Sequence, residues 1–158
     1  MLEYSVTARR TAPATAVVLC ARSPGAAVAL DTDPAGRRDA LNPAELLLTA
    51  LGACMLKGIE RVTPMLRFQL RGAAVHVHGV RQDSPPRMLR IDYELVIDTD
   101  EPDRRLELLH ANVRKFGTVY NTIADAVELA GSIRRGDAAQ GATASASSAV
   151  PTAADEYC

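Results

Sequence analysis

The 158-residue chain predicts a mixed fold in the order strands, helix, strands, two helices. Three observations carry that order. Short β-branched segments fill the first thirty residues; one sharply capped apolar helix begins at Asn42; and a run of strict polar–apolar alternation lies between Met88 and Asp98. Length and composition fit a single domain of ordinary size with a core of its own.

The opening strands are read over Glu3–Ala8, Thr15–Ala21 and Ala26–Leu30, the last following the turn pair Pro24-Gly25. Residues 31–40 are polar and contain Pro34, Gly36 and the charged run Arg37-Arg38-Asp39, which predicts a loop. Asn42 is then a good N-cap, Pro43 suits the first helical position, and Glu45 is placed to reach back to the Asn42 N–H. The spacing predicts a helix from Pro43 to Arg61 or Val62, limited by Pro64. Its middle, Leu46 to Leu56, is apolar nearly all round and predicts burial on several sides, most simply with walls from a second subunit.

Gln69–His78 and Met88–Asp98 read as a strand pair around a Ser84-Pro85-Pro86 connection. In the second, Leu89, Ile91, Tyr93, Leu95 and Ile97 alternate with Arg90, Asp92, Glu94, Val96 and Asp98, one face toward a core. A helix with Leu106, Leu108, Leu109, Val113 and Phe116 ends at Gly117, and a further one is expected from Val119 to Leu129, closing at Gly131. His110 reads as a helix-surface residue. The domain is expected over residues 1–135. Residues 136–158, rich in Ala, Ser and Thr without apolar periodicity, read as a disordered tail.

Several function classes drop out on composition. A net charge of −1 supplies no basic field for nucleic acid or an anionic membrane. No apolar run approaches the roughly 20 residues that span a bilayer, and residues 1–20 lack a secretory core. Three scattered cysteines, Cys20, Cys54 and Cys158, with no CxxC, point to a reducing cytoplasm rather than a disulfide framework. His76 and His78 share one strand face; with no carboxylate or thiol completing a set they read as a solvated face, and no metal is expected. No glycine-rich loop follows a strand, so no cofactor is expected either.

Cys54 is the residue with most chemical interest. Three turns into its helix it lies beyond reach of the macrodipole, so activating its thiolate needs a cation delivered from elsewhere in the fold. The run Asn42-Pro43-Ala44-Glu45-Leu46-Leu47, with Ala50-Leu51 and Cys54, resembles the OsmC/Ohr signature NPxELLxxALxxC. Lys115-Phe116-Gly117-Thr118-Val119-Tyr120-Asn121-Thr122 resembles that family's second motif, KYCPVSNT. The resemblance extends over about residues 3–131. It implies an α+β fold, two subunits intertwined about their central helices, and reduction of organic hydroperoxides by a thiolate at Cys54. It also implies an arginine from the N-terminal strand, Arg10 or its neighbour Arg9, beside that thiolate. Two family parts are replaced. Ala44 stands where the family's peroxidases carry a glutamate, and Gly117 where they carry a second cysteine. The reading is therefore a one-cysteine peroxidase served by an external thiol, active as a homodimer. The alternative is a non-catalytic dimer binding a small apolar ligand. Tyr120 is expected to fill space near Cys54.

Overall fold

The computed structural model describes residues 2–20, 26–37 and 39–137, the side chains of Leu19 and Cys20 excepted. The chain divides into two compact units, Met1–Leu51 and Gly52–Cys158. The Pro24-Gly25 turn, Cys158 and nearly all of the expected tail lie outside the described residues.

In the first unit, β1 (Val6–Ala12), β2 (Thr15–Cys20) and β3 (Ala27–Asp31) form an antiparallel sheet in that order. A two-residue turn at Pro13-Ala14 closes the first hairpin, Ala12 pairing with Thr15 and Ala14 taking a φ of 59°. β1 starts three residues later than its alternation predicts. All seven of its residues are exposed, so burial does not set its frame. Beyond β3 the Asp31 carboxylate accepts the N–H groups of Asp33 (2.8 Å) and Arg37 (2.6 Å), which folds the polar loop back on itself. This ties down an acid that is only 3% exposed.

Helix α1 (Pro43–Leu66) carries the chain from the first unit into the second. Its start is a reciprocal cap: Asn42 Oδ1 accepts the Ala44 and Glu45 N–H groups at 2.9 and 3.0 Å, and Glu45 accepts the Asn42 N–H at 2.9 Å. Its end overruns the expected stop, and Pro64 lies inside the last turn. The helix closes through Arg67 at φ 48°, with the Phe68 N–H donating to Thr63 O (2.9 Å) and the Arg67 N–H to Pro64 O (3.2 Å). That is a Schellman closure with arginine in the left-handed position and Phe68 buried behind it. Burial along α1 is narrower than its composition implies. Leu51, Met55, Ile59 and Val62 form a covered stripe, each at most 1% exposed, whereas Leu47 and Leu56 are 36% and 37% exposed.

The second unit is built on β4 (Gly72–Gln82), β5 (Arg87–Asp98) and β6 (Glu128–Arg135), with α2 (Asp103–Phe116) and α3 (Thr118–Ala124) between the last two strands. β4 and β5 are antiparallel; β5 and β6 are parallel. The expected long third helix is therefore a seven-residue helix followed by a strand. Glu128–Arg135 contains Ala130, Gly131 and Ser132 rather than a β-branched run, so its pairing comes from tertiary context rather than local propensity. Ile91, Tyr93, Leu95 and Ile97 are buried as the alternation requires. Val96, expected to face outward, is also covered, 3% exposed, by the chain turning past it at Gly136. Each fully buried side chain such as Ile91 or Leu109 contributes about 1.5–3 kcal/mol.

Candidate active site

Cys54 is the free cysteine among the described side chains, and it is half-buried on a helix whose neighbouring positions Leu51 and Met55 are sealed. Its surroundings follow from how α1 and α2 run together. Arg105 donates to the Leu66 carbonyl at 2.9 Å, joining the end of α1 to the start of α2. Eight residues back along α1, a Cβ built on Gly58 would meet Val113 at 3.0 Å, eight residues on along α2. The helices are thus antiparallel, with Cys54 one turn before that contact along α1 and Gly117 one turn after it, at the α2–α3 junction.

That junction has no spare room. A Cβ on Gly117 would lie 2.9 Å from Tyr120 Cβ and 3.2 Å from the Val113 carbonyl. Tyr120 stands edge-on to Tyr93, ring centroids 6.2 Å apart, so its ring belongs to the cluster beneath the junction. The Tyr93 hydroxyl lies 2.7 Å from His110 Nε2. His110, expected on the helix surface, is buried and only 8% exposed. Burial, with Arg114 nearby, pushes its pKa down to about 4, which keeps the ring neutral and leaves Nε2 able to accept the Tyr93 proton. Burial and the neighbouring Tyr120 raise the Tyr93 pKa above the usual phenol range. Sequence periodicity could not find this pair. The one legible signal was Gly131, where an added Cβ would overlap the Tyr93 ring at 1.9 Å.

Beside the junction, two cations approach Phe116, the Arg61 guanidinium at 5.0 Å and the Lys115 ammonium at 5.5 Å from its ring centre. These cations also went unread in the sequence, since each sits on a helix face that reads as ordinary solvated charge.

Arg10 and Arg9 lie on β1 in the first unit, both exposed, with Arg10 opposite Ala16 just before a register irregularity. Cys54 belongs to the second unit. Glu45 is occupied as the α1 cap, and Ala44 contributes its N–H to that cap. On the outer face of the second sheet His76 pairs with Glu94 and His78 with Asp92. Both carboxylates are engaged, Glu94 by Arg134 at 3.0 Å and Asp92 by Arg90 at 2.6 Å, and among the described residues no group of three ligands gathers for a metal. Among the described residues, no helix is long and apolar enough to cross a membrane.

Residues 36–130 match the family model for OsmC-like protein, well over half of the chain. The chain belongs to the OsmC-like family. An OsmC-like protein from Mycoplasma pneumoniae shares the fold at a TM-score of 0.77 and 17% identity, covering 86% of this chain and 99% of that one. An organic hydroperoxide resistance protein from Elizabethkingia anophelis superposes at 0.68 with 12% identity over 85% and 99% of the two chains. The organic hydroperoxide resistance protein OhrB of Bacillus subtilis does so at 0.61 with 17% identity over 84% and 98%. At such identities the likeness is one of fold. No curated protein matches the chain.

Proposed function

We propose that this OsmC-like protein is a one-cysteine thiol peroxidase that reduces organic hydroperoxides at Cys54. The carrying observation is a half-buried thiol beside the sealed stripe of α1, in a chain that holds glycine at the position of the family's second cysteine. The Cys54 thiolate attacks the outer peroxide oxygen, the O–O bond breaks, and an alcohol leaves as the sulfur becomes a sulfenic acid. An incoming thiol then condenses with it to a mixed disulfide and water, and a second thiol releases Cys54. Arg10 is the activator that the family resemblance assigns in this reading. Organic hydroperoxide resistance, which names two of the structural relatives, agrees with that chemistry.

A homodimer belongs to the same proposal. Leu47 and Leu56 leave apolar surface open on a helix whose composition calls for cover all round. Sedimentation at micromolar concentration should give a dimer mass; a monomer would remove this part.

Mild treatment with cumene hydroperoxide should convert Cys54 to a trappable sulfenic acid and consume peroxide in the presence of thiol, and Cys54→Ser should abolish both. Peroxide consumption unchanged in Cys54→Ser would overturn the proposal. The second reading, a non-catalytic dimer holding an apolar ligand, draws on Ala44 and Gly117; a parent protein inert to peroxide, with a ligand co-purifying in native mass spectrometry, would favour it.

A further inference from the structure

A peroxidase with glycine in place of the family's second cysteine is open to a reductant from solution, and exposed cations lie on the helix that carries its thiol. Lys57 lies three residues beyond Cys54 on α1, a spacing at which helix side chains are surface neighbours. Arg61 continues the same face two turns on, and its guanidinium rests over Phe116, the last residue of α2. Lys115 approaches the same ring from α2. All three cations are exposed, and among the described residues none is paired with a carboxylate. That sets them apart from Arg71, Arg90 and Arg105, each held by an acidic partner. Gly117, immediately after Phe116, lies one turn past Val113, whose partner Gly58 lies one turn past Cys54.

We infer that Lys57, one turn from Cys54 on α1, together with Arg61 and Lys115, which share the Phe116 ring, forms an anion-recognising rim beside Cys54 that selects a carboxylate-bearing monothiol as reductant. This rests on Cys54 as the peroxide-reacting thiol. The carboxylate is drawn to the rim while the thiolate attacks. Cys54 sulfenic acid and the thiol give the mixed disulfide and water; a second molecule of the same thiol attacks the outer sulfur, giving the small-molecule disulfide and the Cys54 thiolate. The phenyl ring excludes water from one side of each cation and keeps both head groups near one spot, where opposed charge raises encounter rates.

The test reads the rim without peroxide. Full-length protein carrying Cys20→Ala and Cys158→Ser is converted at Cys54 to the neutral thiopyridyl mixed disulfide. Thiopyridone release is then timed with 3-mercaptopropionate, 2-mercaptoethanol and cysteamine, each rate divided by that of the same thiol on dipyridyl disulfide. The corrected rate for mercaptopropionate should exceed that for mercaptoethanol about tenfold, with cysteamine slowest. The preference should fall to parity in Lys57→Gln/Arg61→Gln/Lys115→Gln, and in the parent at high salt. Equal corrected rates in the parent, or a preference that survives both the triple substitution and salt, overturn the rim. Sulfenic acid formation with hydroperoxide is scored separately, so loss of that signal with the charge preference intact counts against the peroxidase and not the rim.

Discussion

Burial of His110 couples its proton to folding. The imidazole is neutral in the folded protein down to about pH 4, whereas in the unfolded chain it protonates near its ordinary value of 6.5. Between those values the unfolded chain binds the extra proton, so stability is fully present above pH 6.5 and drains away as pH falls toward 4. The contribution is about 3 kcal/mol across that window. Urea denaturation of the parent at pH 7.0 and 5.0 should show the loss, and His110→Leu should flatten the slope. An equal slope in the variant would assign the pH dependence to other groups. The helical frame put this residue on the apolar face, but its partner was not legible there. His110 sits in the same 3.6-residue frame as Leu106 and Val113, yet its burial depends on a tyrosine from a strand seventeen residues earlier. Cys54 was legible for the opposite reason, since its spacing from Pro43 and its apolar flanks are properties of one helix.

Among the elements, those whose chemistry is local were read correctly. The α1 cap needs only Asn42 and Glu45, and it forms as the residue types require. The far end of α1 was misjudged because the helix accommodates Pro64 in its last turn and closes only beyond it, through Arg67 and Phe68. β6 was missed outright. Its identity as a strand is written in β5, whose Tyr93 ring fills the place where residue 131 would carry a side chain. Gly131→Ala should therefore destabilise strongly, by about 2–3 kcal/mol, because the Tyr93 ring is held by His110 and has no easy way to yield. Thermal melting is the check, and an unchanged midpoint would show that the ring moves freely. An alanine at the neighbouring exposed Ser132 makes no such demand and serves as the control.

At the scale of the molecule, the order strands, helix, strands, helices holds apart from the final strand, and the family match confirms the fold class. What could not be read was the meeting of distant segments: Tyr93 with His110, Arg61 with Phe116, and β5 with β6. Such contacts arise only when α2 and α3 return the chain to the sheet. That parallel return has a kinetic consequence. β4 and β5 are joined by a short connection and can zip as a hairpin, while β6 must wait until two helices have formed and docked. Its central glycine then has to slide beneath an aromatic ring already hydrogen-bonded to α2. The strand that completes the sheet should thus be the last to lock and the first to let go. Native-state hydrogen exchange should find the amides of residues 129–134 opening at lower free energy than those of residues 91–96. Matched protection across the two strands would mean that they form as one cooperative unit.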